Sequence, residues 1–161
     1  MAYTMKVDGL EDLSKKLTEL GEKAQGVASK GLYDGAGVMA DSMKASAESI
    51  QTAPFHYAVF ITRDPSPEEK AAVLQAKMGI AKFQKNGAEV NTSVGYQNTG
   101  YTEINGKTKP IPQIANAINS GTSFRKKQPF FREAEKKSQK AAVAAIEAGI
   151  KARESELDLG D

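Results

Sequence analysis

The stretch that decides the fold is IPQIANAINSGTSFRKKQPFFREA, residues 111–134. Its isoleucines recur at the three- and four-residue spacing of one helix face; they are Ile111, Ile114 and Ile118. Gly121 can supply the left-handed turn that ends this helix, and Pro129 suits the start of the next. The stretch therefore predicts a short helix from Pro112 to about Ser120, a basic loop, and a second helix.

Downstream, an alanine-rich pattern continues the second helix from Pro129 to Arg153. We expect one side of it to carry Phe130, Ala134, Ala141, Ala145 and Ala148, with Val143, Ile146 and Ile150 beside them. Residues 154–161 are polar and acidic, and we expect a loose tail there.

Upstream, the dipeptide Asn105-Gly106 separates Tyr101–Ile104 from Lys107–Ile111. A type I′ turn requires positive φ at both central residues, so this pair predicts a β-hairpin. Residues 89–96 alternate apolar and polar side chains, which predicts another strand with a bulge or a close backbone contact at Gly95.

The N-terminal third predicts two helices. A leucine stripe marks the first, with Asp8 as its N-cap: Leu10, Leu13, Leu17 and Leu20. Glycine weakens a helix interior, so we expect a break or kink near Gly26. A second apolar pattern runs through Leu32, Ala36, Met39, Met43, Ala47 and Ile50, and Gly31, Gly35 and Gly37 near its start would permit close packing on a neighbour.

Between these regions, Pro54 stops the second helix and residues 55–62 read as a strand. Ser66, Pro67 and Glu69 form the sequence of a capping box, so a further helix should begin at Pro67. Its apolar face would carry Val73, Ala76, Ile80 and Phe83. Asn86-Gly87 either ends that helix or turns a hairpin.

Composition narrows the class of protein. The chain has 161 residues, 40% of them hydrophobic and 26% charged, which predicts one folded domain over residues 1–161. We expect no membrane span and no signal peptide. Cysteine is absent, which excludes disulfides and thiolate metal sites. The predicted fold class is α+β, with long N- and C-terminal helices packed on a small antiparallel sheet and one inserted helix.

Catalytic patterns are missing from the sequence. His56 is the single histidine, so a histidine pair for a metal or for acid–base catalysis cannot form. No serine elbow or serine–lysine motif is present. We therefore expect no enzyme activity, no catalytic residues, no metal and no cofactor.

Two polar segments are candidate interaction surfaces. The first is the hairpin turn, with Asn105, Gly106 and Lys107. The second is basic and comprises Arg125, Lys126, Lys127, Arg132, Lys136 and Lys140, within a region that carries nine basic and four acidic residues from 125 to 154. Arg132, Lys136 and Lys140 are four residues apart and share one helical face, where they suit an anionic partner such as DNA or an acidic protein. The alternative is an ordinary solvated face with ion pairs such as Glu133–Lys137 and Glu147–Lys151.

The chain resembles a tail-component family of long-tailed bacteriophages, in siphophages and related prophages. The strongest likeness is the block from Ile118 through Gly121, Thr122 and Ser123 to Pro129 and Phe130. The opening Val7-Asp8-Gly9-Leu10-Glu11-Asp12-Leu13 resembles the family's opening, which leads into an amphipathic helix, and Val90 to Tyr96 resembles its central strand.

The resemblance implies a structural virion protein of the neck, present in the host cytoplasm before assembly. It would be a tail-completion or head-to-tail joining subunit that forms a ring, with a hexamer as the implied stoichiometry. Its partners would be other copies of itself, the head connector, the tail terminator or tail tube, and the DNA that passes. The alternatives are a tail-terminator ring and a small nucleic-acid-binding protein that uses the basic C-terminal helix.

Overall fold

The computed structural model describes residues 10–53, 63–76, 78–82, 84–87, 89–96 and 100–157, without the side chains of residues 10–14, 85 and 86. The predicted cap at Asp8, the predicted strand at 55–62 and His56 lie outside these residues. The fold is α+β, as expected. Its helices are α1 (Leu10–Glu48), α2 (Pro67–Gln75), α3 (Ile111–Ser120) and α4 (Phe130–Lys151), followed by a 3-10 turn at Glu154–Leu157. Its strands are β1 (Met78–Ile80), β2 (Gln84–Asn86), β3 (Glu89–Asn91), β4 (Val94–Tyr96), β5 (Tyr101–Ile104) and β6 (Lys107–Pro110).

Helix α1 is a single helix of 39 residues, so the predicted break near Gly26 is wrong. Each interior glycine costs about 1 kcal/mol relative to alanine. Tertiary packing of α1 offsets that penalty, since Val27, directly after Gly26, is only 3% exposed.

The glycines predicted to allow close packing do so at two positions. A Cβ at residue 31 would lie 3.1 Å from the carbonyl oxygen of Ile146, and one at residue 35 would lie 2.9 Å from that of Ala142. From the α4 side, a Cβ at Gly149 would lie 3.2 Å from the Cα of Gly31. Gly37, by contrast, has open space around it. The two long helices therefore approach backbone to backbone.

The buried face of α4 differs from the predicted one. It carries Phe130, Ala134, Ser138, Ala142 and Gly149, whereas Ala141 and Ala148 are exposed. Alanine is small enough for either environment, so its pattern did not indicate which face would be buried. Ser138 is tolerated there because its hydroxyl donates to the carbonyl of Ala134 over 2.8 Å.

The main core lies where the end of α1 meets α2, α3, the β5–β6 hairpin and the start of α4. It consists of Ala47, Ile50, Val73, Ile104, Ile114, Ala115, Ile118 and Phe130. Of the three isoleucines that share one face of α3, Ile114 and Ile118 are 2% and 0% exposed in this core, and Ile111 is half-buried.

Helix α2 begins as predicted, with both hydrogen bonds of the capping box between Ser66 and Glu69. It ends at Gln75 and not at Asn86, so the expected continuation through Ile80 is wrong. The hairpin alternative is confirmed, but its turn is not the dipeptide Asn86-Gly87. Asn86 is the last residue of β2 and pairs with Glu89, and Gly87, with a φ of +60°, follows it in the turn.

Strands β1 to β4 form two antiparallel ribbons of two strands each. In the β1–β4 ribbon Ile80 pairs with Val94, and in the β2–β3 ribbon Gln84 pairs with Asn91. The predicted strand at 89–96 is therefore two strands, β3 and β4, which pair with different partners. The close backbone contact predicted at Gly95 is wrong, since an added Cβ there would meet nothing within 4 Å.

The β5–β6 hairpin forms as predicted. Asn105 and Gly106 have φ values of +54° and +70°, and Ile104 pairs with Lys107 across the turn. The hairpin leads directly into α3, which begins at the residue after β6. Ile111, the first residue of α3, donates its backbone N–H to the carbonyl of Gly100 over 2.9 Å, next to the start of β5.

Candidate interaction surface

The segment that joins α3 to α4 is a packed corner. Gly121 has the positive φ that was predicted, +76°, but its ψ of 166° lies outside the left-handed helical region, so the predicted left-handed turn does not form. This combination of angles is available almost only to glycine. A Cβ there would lie 3.2 Å from the backbone nitrogen of Lys127. Both the conformation and the space at this position therefore require glycine.

Hydrogen bonds fix the second half of the corner. Gln128 donates its backbone N–H to the carbonyl of Ile118 over 2.9 Å, and the side chain of Asn119 accepts from the N–H of Phe131 over 3.1 Å. Pro129 is the N-cap of α4, and Phe130 is 2% exposed in the core. This corner sets the direction of α4 relative to α3.

The Gln128 side chain ties the corner to the end of α1. Its amide donates to the carbonyl of Gln51 over 2.9 Å and accepts from the N–H of Gln51 over 2.8 Å. The two residues thus bond in both directions, as neighbouring strands do.

Arg125 is not part of an exposed basic surface, in contrast to the sequence-based expectation. Its guanidinium donates to Oε1 of Glu69, and Arg63 donates to the same oxygen over 3.3 Å. Oε2 of Glu69 accepts from the N–H of Ser66 over 3.0 Å. The Glu69 side chain is 1% exposed and that of Arg125 11%. Sequence indicated only the capping role of Glu69, because nothing local marks a partner 56 positions away.

The chain from Thr122 to Arg125 makes a tight turn with hydrogen bonds in both directions between its ends. Arg63 holds the turn by donating its N–H to the carbonyl of Phe124 over 3.1 Å. Phe124 itself is 75% exposed at the tip. The resemblance block thus presents a large apolar side chain on a firmly held loop, a feature that the sequence analysis did not single out.

The basic residues of α4 lie on its outer face. Arg132, Lys136 and Lys140 are exposed, whereas Ala134, Ser138 and Ala142 are buried. Each basic residue is two positions from a buried one, which places it about 200° around the helix. The row therefore points away from α1. Lys126 and Lys127 are exposed in the loop just before α4.

The other predicted surface is the tip of the β5–β6 hairpin. Asn105, Gly106 and Lys107 are all exposed, and Glu103 and Thr108 pair across the ladder just behind them. Tyr101, at the base of β5, is 70% exposed. The tip is anchored by Ile104, which is 3% exposed in the core.

A cleft of about 450 Å³ lies between α1, α2 and the β1–β4 ribbon. Its lining includes Ala47, Val73, Met78 and Tyr96. The Tyr96 hydroxyl is buried without a hydrogen-bond partner in the described part of the chain, and burial raises the pKa of Tyr96 to about 12. Such a hydroxyl stays protonated at neutral pH.

Two further findings concern only the described residues. Within them, no three of the side chains of histidine, cysteine, aspartate and glutamate are grouped so that they could hold a metal ion. None of the helices there is both long and apolar enough to cross a bilayer.

Comparison with family models, curated proteins and solved structures gives no match to this chain.

Proposed function

We propose that this chain is a structural subunit of the neck of a long-tailed bacteriophage, a tail-completion or head-to-tail joining protein that assembles as a ring. One observation carries the proposal. The residues that resemble the phage family are those that build the corner between α3 and α4. Gly121 is needed there because its φ is positive and because a Cβ would meet the backbone of Lys127. Pro129 is the N-cap of α4, and Phe130 is buried in the core at its first turn.

A ring subunit needs two different surfaces that fit each other, because a head-to-tail contact closes by rotation. The corner supplies one candidate surface in the exposed Phe124, which the turn from Thr122 to Arg125 holds in place. The tip of the β5–β6 hairpin supplies another. Both stand on short, hydrogen-bonded turns, which lowers the entropy lost when they bind a neighbour.

The first experiment is the molar mass in solution by light scattering over a range of protein concentrations, with negative-stain imaging of the largest species. Closed rings, with six subunits as the implied number, are the expected result. A strict monomer at every concentration would contradict self-assembly by the isolated chain and would require a test with purified tails.

A pair of substitutions locates the contact. Phe124→Ala should lower the mass of the assembled species while the circular dichroism spectrum stays unchanged, because it removes an exposed aromatic side chain that nothing in the fold requires. Val143→Ala is the matched control, since Val143 is an apolar residue 48% exposed on α4. Equal assembly of both variants would place the contact elsewhere.

Disruption of the coding sequence in the genome that carries it distinguishes a head-to-tail joining protein from a tail terminator. If the protein joins heads to tails, we expect filled heads and tails of normal length that remain apart. A tail terminator stops growth of the tube, so its loss would give tails of irregular length. Normal virions would contradict both roles.

A further inference from the structure

The outer face of α4 carries cations that the fold does not use. The ion pairs in the described part of the chain are Lys30–Glu156, Arg63–Glu69, Arg125–Glu69 and Arg153–Asp34. Arg132, Lys136 and Lys140 belong to none of them. The pairs Glu133–Lys137 and Glu147–Lys151, expected of an ordinary solvated face, do not form within 4 Å either.

The three side chains form a row inclined to the axis of α4, because a step of four residues turns about 40° more than one full turn. A spacing of four residues advances about 6 Å along a helix, so the row from Arg132 to Lys140 is about 12 Å long. Like charges at this spacing repel one another and slightly destabilise the helix. An anionic partner along the row would relieve that repulsion.

The loop before α4 adds two more cations next to the N-terminal end of the helix. Lys126 and Lys127 are exposed. Their backbone is held, because Lys126 donates its N–H to the carbonyl of Arg63 over 2.8 Å and Gln128 bonds to Gln51. The surface therefore comprises five cations on a rigid support, and we call it the α4 basic face.

We propose that the α4 basic face binds the phosphate backbone of double-stranded nucleic acid without regard to sequence. Each strand of the duplex carries one phosphate for every 3.4 Å or so of helix axis, so a row of about 12 Å parallel to that axis covers the rise of three or four of them. Lysine and arginine on long side chains neutralise such a row by releasing counterions, and contacts of this kind position a protein without reading bases. This binding is independent of ring formation and of any role in joining heads to tails.

The test uses the full chain and a fluorescently labelled duplex of about 20 base pairs, with binding followed by anisotropy from about 50 to 200 mM salt. Three to five phosphate contacts predict a slope of roughly −3 to −5 in a plot of log affinity against log salt. The triple variant Arg132→Gln, Lys136→Gln, Lys140→Gln should bind at least about tenfold more weakly and lower the slope by about three.

A matched control removes the same number of charges elsewhere. Lys15→Gln, Lys16→Gln, Lys82→Gln changes three exposed lysines outside α4 and should bind the duplex within a few-fold of the wild-type chain. Equal losses in both triple variants would show an effect of net charge alone and would overturn the proposal. Failure of the wild-type chain to bind duplex at about 50 mM salt would overturn it as well.

Two more measurements separate the remaining outcomes. Polyglutamate that displaces the duplex at equal charge concentration would show a general site for acidic partners and would overturn the assignment to nucleic acid. The molar mass of each variant is measured in the same samples. If the α4 triple variant loses assembly and keeps its duplex affinity, the face is a contact between subunits, and the nucleic-acid proposal fails while the ring proposal stands.

Discussion

Glu69 carries a buried charge that several distant residues depend on. The carboxylate caps α2 through Ser66, accepts from Arg63 in the chain before α2, and accepts from Arg125 in the corner before α4. Three parts of the fold thus meet at one side chain. A buried pair of this kind is costly to break, because the remaining charge loses its partner.

We expect Glu69→Gln to lower the free energy of unfolding by about 3 kcal/mol, measured by urea denaturation, because Arg125 remains buried without a counter-charge. The neighbour Glu68→Gln is the control. Glu68 is exposed, so its substitution should change stability by no more than about 0.5 kcal/mol. Similar effects at the two positions would show that the buried contact is unimportant.

Gly35 allows α1 and α4 to approach closely because it has no side chain. Gly35→Ala places a Cβ 2.9 Å from the carbonyl oxygen of Ala142, so α1 and α4 must move apart. We expect a loss of about 1–3 kcal/mol in unfolding free energy. Gly37→Ala, two residues away in open space, should instead stabilise the chain by about 0.5–1 kcal/mol through helix propensity. A stabilising effect at both positions would contradict the close packing.

Tyr96 gives a prediction about alkaline pH. Its pKa rises from 10.0 to about 12 because burial disfavours the phenolate, so the folded chain keeps a proton that the unfolded chain releases. Titration of Tyr96 therefore leaves the unfolding free energy unchanged below pH 10 and lowers it as the pH rises from 10 to about 12. Urea denaturation along this range should show the decline.

Tyr96→Phe should reduce that alkaline decline and leave stability at pH 7 unchanged or higher, because it removes a buried hydroxyl without a partner. The exposed Tyr101→Phe is the matched control. An alkaline profile that is the same in the wild-type chain and in Tyr96→Phe would assign the decline to other groups.

Individual elements follow local sequence wherever a short-range rule operates. The capping box at Ser66 and the Asn105-Gly106 turn are confirmed because each rule involves adjacent residues and backbone geometry alone. The end of α2 was not predicted correctly. Val73, Ala76, Ile80 and Phe83 keep helical spacing in the sequence, but pairing of Met78–Ile80 with Val94–Tyr96 outweighs that pattern. Pairing between distant strands is invisible to a periodicity argument.

The β5–β6 hairpin supplies the element-scale prediction. Gly106→Ala should lower the unfolding free energy by about 1 kcal/mol or more, because alanine is strained at a φ of +70°. Gly95→Ala is the control, since Gly95 sits in a strand with open space for a Cβ. It should have an effect near zero. Equal effects would mean that the turn conformation does not limit stability.

At the scale of the whole molecule, the α1–α4 pair and the small core at its end form one α+β fold with its polar turns on the outside. If the chain assembles into rings, binding between copies stabilises the folded state by mass action. The melting temperature should then rise with protein concentration in the wild-type chain. The rise should be smaller in Phe124→Ala, and differential scanning calorimetry at several concentrations measures both. A melting temperature independent of concentration in the wild-type chain would contradict ring formation.

The sequence by itself determined the fold class, the start of α2, the β5–β6 turn, the short isoleucine helix and the corner at Gly121, because each depends on residues close together in the chain. Only the tertiary structure decided that α1 is continuous, which face of α4 is buried, and that Arg125 pairs with Glu69 and not with solvent. These features depend on contacts between residues far apart in sequence. The energy of such contacts exceeds the small local preferences of glycine and alanine, and a surface arginine differs from a buried one only through its neighbours in space.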